Sequence, residues 1–128
     1  MYKYYNPNSR RRTSVGDCTV RAVSKALNIS WETAYIDLAV QGYLLADMPS
    51  SNVVMNTYLH SQGFSRHSIE DNCPDCYTVR EFAEDHPFGI YILGTGTHVV
   101  TVIDGIYYDS WDSGDEIPQY YYKKEYDL

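Results

Sequence analysis

Three residues of this chain are of types that together perform acyl transfer: Cys18, His98 and Asp109. The first lies in the stretch V15-G-D-C-T-V-R-A-V-S-K-A-L27, where Val20, Val23, Ala26 and Leu27 form one apolar stripe of a helix. That stripe puts Cys18 in the first turn of the helix and off its buried face. Unsatisfied backbone N–H groups and the positive end of the helix dipole favour a thiolate there, and only the thiolate is strongly nucleophilic. A small residue packed beneath a helix start is the structural alternative for a single cysteine.

His98 lies in T97-H-V-V-T-V-I103, which Asp104-Gly105 joins to I106-Y-Y-D-S-W111. Asp-Gly between two β-branched and aromatic runs is a strong hairpin signal. A two-residue turn sets Ile103 opposite Ile106, hence Val100 opposite Asp109 and His98 opposite Trp111. His98 and Asp109 are then diagonal neighbours on one face, their Cβ atoms a little under ~7–8 Å apart, within reach of an imidazole–carboxylate hydrogen bond. A three-residue loop would shift the register and bring Asp112 to His98 instead, so the turn decides between the two carboxylates and favours Asp109. Thiol, imidazole and carboxylate fill the roles of nucleophile, base and orienting partner.

The elements that must hold these groups can be read around them. The Cys18 helix runs to about Asn28, and Ser30 caps a second helix expected from Trp31 to Gln41, with Gly42 as its stop. A third is expected from about Ser51 to Gln62 before Gly63, and a fourth from the capping box at Thr78 to about His86. Strands are expected over F88–L93 and in the two arms of the hairpin, and clusters such as Tyr4-Tyr5, Tyr107-Tyr108 and Tyr120-Tyr121-Tyr122 suit half-buried strands. Helices first and antiparallel strands second predict an α+β domain, with N-terminal helices packed on a C-terminal antiparallel sheet over residues 1–128.

Composition narrows the function further. The net charge of −7 disfavours nonspecific nucleic-acid binding. Basic residues crowd the N-terminal part, where Arg10 to Arg12 form a short run expected to be solvated or to meet the acidic C-terminal segment around Asp112, Asp115, Glu125 and Asp127. No apolar run approaches the ~18 residues of a membrane span, and no secretory leader is evident, so a cytoplasmic protein with no membrane partner is expected. An odd count of three cysteines then predicts free thiols rather than a disulfide framework. Cys73-Pro-Asp-Cys76 could supply half a zinc site or a redox couple, but His60, His67 and His86 lack a standard ligand spacing, so a tight loop is expected and no cofactor or metal is assigned.

Taken together, G16-D-C-T-V-R-A22, G96-T-H-V-V-T-V-I-D-G105 and Y108-D-S-W-D112 resemble the papain-like cysteine peptidases, most nearly small bacterial and phage members akin to the double-glycine-cleaving, bacteriocin-processing peptidases. The order Cys, His, Asp covers most of the chain. The resemblance implies a papain-like fold, Cys18 as nucleophile, His98 as general base, Asp109 as its orienting partner, and a peptide or protein substrate. The outcome it implies is hydrolysis of a peptide or isopeptide bond through a thioester, and a catalytically inactive papain-fold module that binds a phage or host partner is the alternative. The chain departs from the family in having no glutamine before Cys18 to help hold the oxyanion. A second donor beside the Cys18 N–H would have to come from Asn6, Asn8, Thr13, Ser14 or an arginine, and one such donor contributes about 2.7 to 4 kcal/mol to transition-state stabilisation.

Overall fold

Helix starts follow the capping chemistry of the sequence. In the computed structural model, which describes residues 1–11 and 15–125, three of the helices open on a hydroxyl that accepts from the first free N–H groups. Ser30 caps α2 (Trp31–Leu45) through Thr33 N–H, Ser51 caps α3 (Asn52–Ser61) through Val54 N–H, and Thr78 caps α4 (Val79–Asp85) through Glu81 N–H. The first helix, α1 (Cys18–Leu27), is different: Asp17 stands at its cap position without a side-chain capping bond. Its carboxylate is engaged elsewhere.

The strands are β1 (Tyr2–Tyr4), β2 (Phe64–Ser68), β3 (Ile90–Gly94), β4 (Val99–Ile103), β5 (Ile106–Asp109) and β6 (Tyr120–Lys124). They form one sheet in the order β1-β5-β4-β3-β6-β2. Here the expectation of a C-terminal antiparallel sheet is corrected. The sheet is mixed, because β1 pairs in parallel with β5, and it takes β1 from the start of the chain and β2 from its middle, between α3 and α4. The fold class is α+β, as the succession of helices and strands predicts.

Helices cover both faces of the sheet. Ala22, Val23 and Ala26 of α1, Leu38 of α2 and Val54, Met55 and Leu59 of α3 bury one face with Ile92, Val99, Tyr120 and Tyr122. On the other, Val79, Phe82 and Ala83 of α4 pack on Tyr91, Leu93, Val100, Val102 and Tyr107. This is why β3 and β4 read as continuous apolar runs rather than as alternating ones. Each fully buried Ile, Leu or Val contributes roughly 1.5–3 kcal/mol relative to exposure. Thr101 Oγ1 donates to the carbonyl of Ala22 at 2.7 Å, fastening α1 to β4 in the middle of that layer.

The hairpin turn is the predicted one. Asp104 (φ 50°) and Gly105 (φ 80°) both take positive φ, as a two-residue type I′ turn requires, and Ile103 pairs with Ile106, Thr101 with Tyr108. Elsewhere boundaries differ. The second helix does not stop at Gly42 but runs to Leu45, and Ala46 (φ 53°) supplies the left-handed cap. Gly42 serves close approach instead, because a Cβ there would meet the Asp47 carbonyl oxygen at 2.8 Å and the Pro49 nitrogen at 3.2 Å.

The expectation that all three cysteines are free thiols is also corrected, and of the two alternatives for the Arg10–Arg12 run the described residues follow the solvated one, Arg10 and Arg11 being exposed. Cys73 and Cys76 form a disulfide with a Cα–Cα separation of 4.2 Å, so only Cys18 is free. A four-residue turn brings the two thiols of the C-x-x-C within reach without any wider disulfide framework. Arg10 meets Glu32 at 3.6 Å and lies over the Trp31 ring rather than reaching the acidic C-terminal segment, while Arg12 and Asp127 lie outside the described residues. Among the described residues no helix is long and apolar enough to cross a membrane.

Candidate active site

Cys18 is the first residue of α1, where the backbone N–H groups of the opening turn have no intrahelical acceptor. His98 immediately precedes β4 and Asp109 ends β5. The sheet therefore brings imidazole and carboxylate together at the end on which the start of α1 is packed. His98 Nε2 bonds Asp109 Oδ2 at 2.6 Å. With Nε2 engaged, Nδ1 is the ring nitrogen left for the side-chain hydrogen bond that joins His98 to Cys18. The Trp111 ring packs against the imidazole with centroids 4.8 Å apart. Asp112 is not a partner of His98: its carboxylate accepts from the Tyr107 hydroxyl at 2.6 Å and from Gly114 N–H at 3.0 Å.

Protonation follows from these contacts. Burial alone would raise the Cys18 thiol, but the hydrogen bonds from His98 and from the Val99 N–H, with the positive charges of His98 and Arg21, outweigh it and hold the thiol below its ordinary value. Burial would lower His98, yet its hydrogen bonds and charge pairing with Asp109 and Cys18 push it up to about 9. Burial likewise works against an ionised Asp109, and the bonds from His98 and Ser113 with the charges of His98 and Arg21 keep it below the usual carboxylate range. These shifts favour the Cys18 thiolate and the His98 imidazolium, each of which stabilises the other.

Behind this pair lies a network that the sequence did not disclose. Asp109 is fully buried and its carboxylate accepts four hydrogen bonds: from His98 and Ser113 Oγ (2.7 Å) on Oδ2, and from Arg21 Nη2 (2.9 Å) and Ser110 N–H (2.8 Å) on Oδ1. Arg21 is itself buried and donates its other terminal nitrogen to Asp17, whose second oxygen accepts from Trp31 Nε1 at 2.9 Å. This is where the missing cap of α1 goes. The Asp17–Arg21 spacing of four residues is a helical ion-pair pattern visible in the sequence, but nothing local marks Arg21 as the bridge to Asp109.

The proposed second oxyanion donors fare unequally. Arg21 is committed to two carboxylates. Asn6 and Asn8 use their side-chain oxygens to accept backbone N–H groups of Asn8, Arg10 and Arg11, and Thr13 and Ser14 lie outside the described residues. Two cavities lie near the centre. One of about 490 Å³, lined by Val15, Val20, Trp31, Tyr35, Met48 and Pro49 among others, adjoins the start of α1. The other, of about 480 Å³, is bounded by Thr95 and Thr97 of the loop before His98 and by Ile69, Tyr77, Ile117 and Gln119. Among the described residues no group of three or more His, Cys, Asp or Glu side chains is placed to hold a metal ion. Comparison with protein-family models, with curated proteins and with solved structures returns no significant match to this chain.

Proposed function

We propose that this protein is a papain-like cysteine hydrolase that cleaves a peptide or isopeptide bond through a thioester on Cys18. The observation that carries this reading is the His98–Asp109 hydrogen bond at 2.6 Å to a buried carboxylate, with Cys18 at a helix start near enough to His98 for each to shift the other's protonation. The thiolate attacks the carbonyl carbon, and the negative charge passes to the carbonyl oxygen beside the free N–H groups of the first turn of α1. His98, carrying its proton up to about pH 9, delivers it to the leaving amine. Neutral His98 then takes a proton from water, whose oxygen displaces the Cys18 sulfur and releases the acid. Asp109 holds the ring and stabilises its cation throughout. The cavities beside the start of α1 and beside the loop before His98 offer room for chain flanking the bond to be cleaved.

The test is covalent trapping with a peptide vinyl sulfone, read by intact mass. Cys18, the free thiol, should be modified far faster in the wild type than in His98→Ala, and the adduct should block iodoacetamide. Equal and slow modification of both proteins, at the rate of an unactivated thiol, would overturn the reading.

A further inference from the structure

Among the described residues, Arg66 is a cation with no carboxylate at ion-pair distance. Arg10, Arg21 and Arg80 each meet an acid, at Glu32, at Asp17 and Asp109, and at Asp112 and Asp115 respectively. Arg66, on the edge strand β2, instead lies over the Tyr120 ring at 4.4 Å and against the Tyr122 hydroxyl, which burial raises above its ordinary value and the guanidinium only partly eases. It borders a cavity of about 210 Å³ with Asn52, Val53, Asn56, Tyr120 and Tyr122, and none of these is acidic. The Tyr122 hydroxyl donates to Asn56 Oδ1 at 2.9 Å, which leaves the Asn56 amide nitrogen as a donor.

The strand register connects this cavity to the thiol. Val99, Gly94 and Tyr120 lie in one row across β4, β3 and β6, and directly opposed residues share a face of the sheet. Gly94 is the gap in that row. A Cβ there would lie 2.1 Å from Cζ of Tyr120 and 2.3 Å from its hydroxyl oxygen, so the tyrosine ring leans across β3 towards Val99. The Val99 backbone is one of the groups that hold the Cys18 thiol below its ordinary value. The Tyr120 hydroxyl is raised by burial, and it feels both charges, eased by Arg66 and opposed by Cys18. Tyr120 is thus a floor with the thiol towards one end and the guanidinium stacked on it.

We propose that Arg66, with Tyr120 and Asn56, forms an anion subsite beside Cys18, and that the substrate carries a carboxylate close to the bond attacked. This deepens the hydrolase reading and rests on it. Besides the N–H it shares with the Tyr122 hydroxyl, the stacked guanidinium has further N–H donors to offer a carboxylate, and among the described residues no acid lines the cavity. The carboxylate is either an acidic side chain or the C-terminus of a chain.

Two matched pairs of thiol-directed probes separate these sources: bromoacetyl-glutamate amide against bromoacetyl-glutamine amide, and bromoacetyl-glycine against bromoacetyl-glycinamide. In the wild type the acid of one pair should alkylate Cys18 about threefold or more faster than its neutral isostere, and 1 M salt should shrink that advantage. The pair that shows it identifies the carboxylate. Arg66→Gln should abolish the advantage and Arg66→Lys should keep part of it, with circular dichroism checking that each variant is folded. Equal rates within both pairs in the wild type, or an advantage that survives Arg66→Gln, would overturn the subsite. Because the quantity read is a ratio, it remains decisive if all four probes react slowly. Uniform slowness, unaffected by His98→Ala, counts against the hydrolase reading and not against the anion subsite.

Discussion

Arg21 and Arg80 are each placed against two aspartates, and the two clusters differ in almost nothing but water. The side chains of Arg21, Asp17 and Asp109 are 7%, 8% and 1% exposed, whereas those of Arg80, Asp112 and Asp115 are 42%, 51% and 87% exposed. In the first cluster each charge has lost its hydration and depends on its neighbours. In the second, solvent and salt screen the same Coulomb attraction, and ordering three mobile side chains offsets most of what remains. The lesson is that an arginine's value here is set by what it leaves behind when removed. Losing Arg21 strands two buried carboxylates, one of which holds His98. Losing Arg80 strands nothing.

The sharpest way to break this comparison is to neutralise each arginine. Arg21→Met should lower the free energy of unfolding by about 3–5 kcal/mol in urea titrations, as expected when one partner of a buried ion cluster is deleted. Adding Asp17→Asn to that variant should recover part of the loss, because one of the two orphaned charges is then gone. A double variant no more stable than Arg21→Met alone would show that Asp17 is hydrated despite its burial.

Next in size is the pair of carboxylates on the hairpin. Asp109→Asn removes the charge that keeps His98 protonated, so at pH 7 the rate of Cys18 alkylation by iodoacetamide should fall by about tenfold, the equivalent of one unit of lost thiolate stabilisation. Asp112→Asn should leave the rate within experimental error, since its carboxylate serves Tyr107 and Gly114. The reverse result would mean that the register at His98 differs from that of the ladder below it. Smallest of all is Arg80→Ala, for which the urea midpoint should not move at either low or high salt. A salt-dependent loss of stability would contradict the contrast between the clusters.

The pairing of His98 with Asp109 was legible because it depends on local chemistry. Asp104-Gly105 accepts positive φ at both positions, that fixes a two-residue turn, and the turn fixes which residues face each other. Cys18 at a helix start was legible from the apolar stripe behind it. What was not legible depends on contacts distant in sequence. Arg21 reaches Asp109 across 88 residues, and Thr101 reaches the carbonyl of Ala22 across 79. The strand β2 (FSRHS) escaped because it is an edge strand with three exposed residues and no alternation to read. The three-residue β1 is too short to carry a pattern, and it joins the sheet only because β5 offers it a partner. Gly42 misled because glycine serves both helix stops and close approach, and only the fold shows which.

The thiolate–imidazolium pair makes a further claim about pH. Cys18 ionises below its ordinary value and His98 keeps its proton up to about 9, so the pair is complete between those two limits. Peptide hydrolysis, which needs both partners, should decline on the acid side as the thiol is reprotonated and on the alkaline side near pH 9 as the imidazolium is lost. A profile that rises through pH 9 without falling would remove His98 from the proton transfer.

Thiolate absorbance against pH, in the wild type and in His98→Ala, tests the central claim most directly, because Cys73 and Cys76 are paired and Cys18 is the free thiol that reports. The account predicts that the wild-type thiol titrates below the ordinary cysteine value of ~8.5, and that removing His98 moves it upward while the Val99 N–H and the start of α1 retain part of the shift. A Cys18 that titrates at the ordinary value in both proteins would contradict it and leave a structural cysteine at the start of α1.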